Sequence, residues 1–220
     1  MEKKYQKIGN IFKFDAKYRE ILDLNEPYSS LANITWIGTE KIDGTNTRIY
    51  WDGYRFEFGG RQDNSVIQEN VMEMLNKTFD QKMEYIFEQV FGEKKVYLFG
   101  EAYGPKVQTN GHLYGNEVKF ILFDVNVDGY DLDRNSVNDV ADKLGLDAVP
   151  VLFEGTIPEA IQYVRQGRKS TINSDHIMEG IVLEPKNMML YERGGKRIKC
   201  KVKYMDMIKG GLAGSGYIPQ

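Results

Sequence analysis

Apolar and polar positions alternate with period two along the first quarter of the chain. Ile34, Trp36 and Gly38 share one side of a strand that leads into Lys41, and Thr45 to Trp51 reads as a second strand. Asp52-Gly53 is a hairpin signal, and Tyr54, Phe56 and Phe58 alternate behind it, so Asn33 to Gly60 reads as β-structure. Ahead of it, residues 12–24 read as a short helix with Asp15 as cap and Ile21, Leu22 and Leu24 as apolar positions. The period then changes. Ser65-Val66-Ile67-Gln68 has the form of a capping box, and Ile67, Val71, Met74 and Leu75 repeat at helical spacing. Met83, Ile86, Phe87, Val90 and Phe91 mark a second helix stopped at Gly92. Val96 to Glu101 and Val118 to Val127 read as strands around a glycine-rich loop at 103–115. Ser136 to Asp139 opens a helix ending near Gly145, and Pro158 suits the first turn of another that runs to about Gly167. Gly180 to Leu183 and Arg197 to Val202 are late strands, and Gly210 to Gly216 reads as a flexible tail. The sum is α+β: one domain of largely antiparallel sheets with helices outside them.

Composition narrows the class. With 220 residues, 41% of them hydrophobic, the chain has enough apolar material for a core. No apolar run approaches ~18 residues, so no membrane span is expected. The first seven residues are charged and lack the apolar stretch of a secretory signal. Cys200 is the single cysteine, which excludes an internal disulfide and fits a cytoplasmic location. A net charge of −3 gives no whole-molecule attraction to nucleic acid, so any such binding needs a local basic face.

Chemistry gathers at Thr39-Glu40-Lys41-Ile42-Asp43-Gly44-Thr45-Asn46. A nucleophilic lysine must lose its proton, which costs roughly 4–5 kcal/mol at pH 7 from a free pKa of ~10.4. Burial and nearby cations lower that cost, whereas a carboxylate such as Asp43 raises it. Lys199, Lys201 and Lys203 alternate on a late strand. They read either as a solvated edge or as a cationic face for a polyphosphate. Glu101 leaves an apolar strand beside glycine and could accept from a ribose hydroxyl. Glu179 precedes another apolar strand and could hold a hard cation. Phe123 reads as core or as a stacking face for a base. Asp124 to Gly129 copies the start of a calcium loop, but Asn135 stands where that loop needs glutamate. The glycine-rich tail is not a phosphate loop, because no helix follows it.

The order of these segments resembles the covalent nucleotidyltransferases, the polynucleotide ligases and capping enzymes. Lys-x-Asp-Gly at 41–44 is followed by Arg61, Phe99-Gly100-Glu101, Phe123-Asp124, Glu179-Gly180-Ile181-Val182 and Ile198-Lys199-Cys200-Lys201. Gly104-Pro105 and Gln108 add likeness to the RNA ligase 2 branch of ATP-dependent RNA ligases. The resemblance runs from about residue 4 to 206. It implies an ATP-grasp-like adenylyltransferase domain over 1–206, a tail over 207–220, and no C-terminal OB or RNA-binding domain.

It also implies roles. Lys41 attacks the α-phosphate of ATP to form lysyl–AMP. Glu40 reads the adenine edge, Phe123 stacks on the base and Glu101 binds the ribose. Asn46, Arg61 and Lys199 bind phosphate oxygens or the strand end, and Lys201 touches the α-phosphate. Glu179 binds Mg²⁺ or Mn²⁺. The implied substrate is RNA with 5′-phosphate and 3′-hydroxyl ends, as a nicked duplex, an RNA–DNA hybrid or single strands. A helper protein is an alternative source of substrate grip, and phage origin fits the branch. A minimal DNA ligase, another covalent nucleotidyltransferase or a nucleotide-binding module without sealing activity are the competing readings. Lys203 extends the lysine row, so the last motif could sit two residues later.

Overall fold

A computed structural model describes residues 3–15, 17 and 20–209. The strands are β1 (Gly9–Asn10), β2 (Phe12–Phe14), β3 (Ile21–Leu24), β4 (Trp36–Lys41), β5 (Thr45–Trp51), β6 (Phe56–Gly60), β7 (Val96–Tyr103), β8 (Lys119–Val127), β9 (Tyr130–Asp131), β10 (Val151–Gly155), β11 (Gly180–Pro185) and β12 (Cys200–Lys203). The helices are α1 (Glu69–Thr78), α2 (Gln81–Phe91), α3 (Arg134–Leu144), α4 (Ile157–Arg165) and α5 (Tyr204–Lys209). The class is α+β with mainly antiparallel sheets. Among the described residues no helix is long and apolar enough to cross a membrane.

The chain divides into two compact units. Of the described residues, the first, here the aromatic unit, contains 3–5 and 43–149; the second, the lysine unit, contains 6–15, 17, 20–42 and 150–209.

The lysine unit is built on a sheet of order β1-β12-β11-β4-β10, antiparallel except for the β1–β12 pair. Alternation divides its faces. Ile181, Leu183, Cys200 and Val202 are fully buried and cluster with Ile157, Ala160, Ile161 and Val164 of α4. Thr156 and Glu159 close a reciprocal capping box at the start of α4, with Pro158 in the first turn, as the sequence suggests.

The aromatic unit is built on an antiparallel sheet of order β6-β5-β7-β8-β9. Ile49, Trp51, Leu98, Leu122 and Val125 lie in one core with Val71 and Leu75 of α1, Phe87 and Phe91 of α2, and Val137, Val140 and Leu144 of α3. The other face carries Asn46, Arg48 and Tyr50 abreast of Glu101, Phe99 and Tyr97.

Several expectations change. Residues 12–24 are not a helix. β2 and β3 pair as Phe12↔Leu24 and Phe14↔Ile21, and Asp15, expected to cap, instead accepts from the Glu20 N–H in the connecting turn. Phe12 and Phe14 carry the alternation that wins there. Residues 16, 18 and 19 lie outside the described residues. Ser65 does not cap α1; its hydroxyl accepts from the Gln62 N–H, and Gln68 is the N-cap. Asp133, not Ser136, caps α3, accepting from the Ser136 N–H at 2.8 Å. Tyr54 sits in the β5–β6 turn, where Asp52 accepts from its N–H. The last strand begins at Cys200, whereas Arg197 makes only an isolated bridge with Tyr191. Residues 207–209, assigned to the tail, complete α5, with Met207 buried; residues 210–220 lie outside the described residues.

Candidate active site

Lys41 is the last residue of β4, abreast of Gly180 on β11, which is itself abreast of Lys203 on β12. Gly180 is forced by this crowding. A Cβ there would lie 2.0 Å from the Val202 carbonyl oxygen, and its φ is +155°. Glu179, one residue earlier, serves both neighbours. Lys41 Nζ donates to Oε2 at 2.6 Å, and Lys203 Nζ lies 3.1 Å from Oε1. Lys201 stands on the same side of the sheet as Lys203. Burial first, and then the charges of Lys41 and Lys203, lower the pKa of its ammonium. Two carboxylates, Glu179 and, at Lys201, Asp206, therefore act on three ammonium groups, an arrangement with a surplus of positive charge suited to an anionic ligand.

Lys199 continues the alternation but has a different environment. It is 3% exposed, and its Nζ lies 2.8 Å from Glu184 Oε2, which also accepts from Arg197 Nη2 at 3.0 Å. Glu40 points to the opposite face from Lys41, as consecutive strand residues must. Its carboxylate is buried and accepts from Ser170 Oγ at 2.5 Å, from the Thr171 N–H at 2.9 Å and from the Thr171 hydroxyl.

The remaining expected residues belong to the aromatic unit. Asn46 pairs in register with Glu101, so the two side chains stand together on the face away from the helices. Asn46 Oδ1 is buried with no hydrogen-bond partner, which marks a polar group awaiting one. Phe123 is the extra residue of a β-bulge: Phe99 pairs with Asp124, but Gly100 pairs with Leu122. The bulge turns Phe123 out of the helix-covered core and toward Tyr5, whose ring centroid is 4.9 Å from its own. Tyr5 also donates its hydroxyl to Asp124 at 2.9 Å and packs on Phe99. Arg134 Nη2 fixes the bulge by donating to the Phe123 carbonyl at 2.8 Å. Arg61 is exposed, just beyond β6.

Among the described residues no group of three potential metal ligands occurs. Glu179 is a lone carboxylate already engaged with cations. That donor set fits a hard divalent ion that takes most of its ligands from water and phosphate, not a closed structural site.

Sequence reasoning did not single out Glu184, Arg197, Ser170, Thr171, Arg48 or Tyr5. The available signal was Glu184, an acid inside an apolar strand, which requires a buried partner.

A family model described as RNA ligase matches residues 34–201, from just ahead of β4 to Lys201 in β12. The chain belongs to the RNA ligase family. No curated protein matches it. Among solved structures, a Naegleria gruberi RNA ligase with PPi is similar at 16% identity and a TM-score of 0.61, over 94% of this chain and 62% of that one. A mutant of that protein with ATP and Mn gives 15%, 0.62, 94% and 63%, respectively. An archaeal ATP-dependent RNA ligase gives 15% identity and 0.63, over 93% of this chain and 49% of that one. At these identities the likeness is one of fold, and the chain spans less than two-thirds of the length of these RNA ligases.

Proposed function

We propose that this chain is an ATP-dependent RNA ligase working through a lysyl–AMP intermediate. The observation that carries the reading is Lys41 paired with Glu179 and flanked by Lys201 and Lys203, in a chain of the RNA ligase family. The neutral amine of Lys41 attacks the α-phosphorus of ATP. An N–P bond forms, the bond to the bridging oxygen breaks, and pyrophosphate leaves. Lys201 and Lys203 add positive charge on the side of the sheet from which Lys41 projects, which stabilises charge on the phosphate. A 5′-phosphate oxygen then takes AMP from Lys41. A 3′-hydroxyl next attacks that phosphate, forming the phosphodiester and releasing AMP.

Glu179 releases the Lys41 ammonium and would hold Mg²⁺ or Mn²⁺, which when bound supplies charge neutralisation to the phosphates. Glu101 and Phe123 would bind the ribose and the base, Asn46 and Arg61 phosphate oxygens or the strand end. Lys199 would reach phosphate only by leaving Glu184, and Glu40 would read the adenine edge with lone pairs that Ser170 and Thr171 leave over. RNA bearing 5′-phosphate and 3′-hydroxyl ends is the substrate, gripped by this chain or with a helper protein, in the cytoplasm.

Incubation with each α-labelled nucleotide and Mg²⁺ tests the reading. Label from ATP that is lost in Lys41→Ala supports it. Label from GTP alone would mean capping chemistry, and no label from any nucleotide would refute the covalent mechanism.

A further inference from the structure

Arg48 is a guanidinium in the middle of β5 with 1% of its surface exposed. Nothing in the reaction proposed above uses it. Burying a guanidinium is costly, and an apolar side chain of similar volume would cover the sheet with less desolvation. An apolar residue could not do what the three nitrogens of Arg48 do. Nε donates to the Gly60 carbonyl at 2.7 Å, Nη2 to Asp63 Oδ1 at 3.0 Å, and Nη1 to the Lys3 carbonyl at 2.9 Å. Gly60 and Asp63 stand on either side of Arg61. The same turn is tightened by the Gln62–Ser65 pair, in which each residue accepts from the other's N–H. Lys4 Nζ holds the second oxygen of Asp63 at 2.7 Å. The exposed Arg61 thus projects from a turn whose two flanks are tied to one buried, planar fork.

We propose that Arg48 is a positioning residue for Arg61: it fixes the turn so that the Arg61 guanidinium meets a phosphate in a set geometry. The inference rests on the ligase reading, and specifically on phosphate binding by Arg61. The phosphate belongs to the nucleotide or to the strand end, and two reactions separate these sources. Formation of the Lys41 adduct from ATP reports the first. Sealing of a pre-adenylylated strand reports the second.

The test compares Arg61→Ala, Arg48→Lys, Asp63→Asn and the Arg48→Lys/Arg61→Ala double variant in both reactions. Lysine keeps the charge but cannot bind three acceptors as a fork. Arg61→Ala should slow one reaction by about tenfold or more, the loss of a charge-assisted phosphate contact. Arg48→Lys should slow that same reaction by about tenfold and spare the other. The double variant should match Arg61→Ala within about twofold, because two residues acting through one contact are not additive. Asp63→Asn, whose side chain is exposed, should give a smaller loss in the same reaction and carries the test if Arg48→Lys folds poorly.

Multiplied losses in the double variant would overturn the proposal, as would equal damage by Arg48→Lys to both reactions. Normal rates for Arg61→Ala beside an intact wild-type adduct would also overturn it while leaving the ligase reading standing. Absence of the wild-type adduct would overturn both.

Discussion

Lys199 and Lys201 lie two residues apart and should respond in opposite directions to the same substitution. Lys199→Met removes a cation that is 3% exposed and 2.8 Å from Glu184. Methionine keeps the apolar stem, so the loss is chiefly the ion pair. Breaking a buried pair costs about 3–5 kcal/mol when the remaining charge is stranded. Glu184 keeps Arg197 at 3.0 Å, so the expected cost is lower, about 1–3 kcal/mol. With a urea m-value of ~2 kcal/mol/M, the midpoint falls by about 0.5–1.5 M.

Lys201 is disfavoured in its charged form by burial and by two neighbouring lysines, so its pKa is lower folded than unfolded. Such a group penalises the folded state fully at pH below the folded pKa. The penalty is relieved as pH rises through that value toward the unfolded one. Lys201→Met removes the penalty, so at pH 7 the midpoint should hold or rise, and the gain in stability toward alkaline pH should flatten. Trp36 reports the lysine unit once Trp51→Phe silences the only other tryptophan. The Lys41 adduct assay should reverse the ranking, with Lys201→Met the more damaging. A larger midpoint loss in Lys201→Met than in Lys199→Met would refute the assignment of structural and chemical roles to these two residues.

Two further outcomes follow from the packing. Cys200 is fully buried and burial pushes its thiol far above the ordinary range, so Ellman's reagent should titrate no thiol in the native protein and one in urea; a reactive native thiol would contradict the buried β12. Gly44→Ala should raise the KM for ATP and cost about 1–3 kcal/mol, because the new Cβ would lie 2.2 Å from the Ala102 carbonyl oxygen and 2.9 Å from Glu101 Cγ; unchanged KM and melting would show that β7 can yield there.

The legible parts of the sequence were those whose partners are near in the chain or whose pattern is periodic. β4, β5, α2 and β8 follow from alternation and helical spacing over five to ten residues. Phe123 was ambiguous for a physical reason. A bulge adds one residue and reverses the phase of alternation, so Leu122 and Val125 share a face and Phe123 leaves it. No periodicity argument detects that without the opposing strand. Lys199 looked equivalent to Lys201 because alternation gives a side chain's direction but not what it meets. Glu184 and Arg197 meet it there. Ser170 and Thr171 were invisible because their partner, Glu40, lies 130 and 131 positions away. The ordered motifs single out Lys41, but its counter-ion and the buried polar ties required the folded chain.

The antiparallel pairing of β4 with β11 has a consequence for how the protein is made. Glu179 follows Lys41 by 138 positions, and at ribosomal rates of 5–20 residues per second that interval is about 7–30 seconds. The aromatic unit, complete at residue 149, can collapse during that interval, whereas β4 still lacks β11 beside it. Until Glu179 is made the amine of Lys41 lacks its carboxylate partner, and until the last strand emerges it lacks Lys201 and Lys203. The cluster of Lys41, Glu179 and Lys203 is therefore assembled among the last events of synthesis.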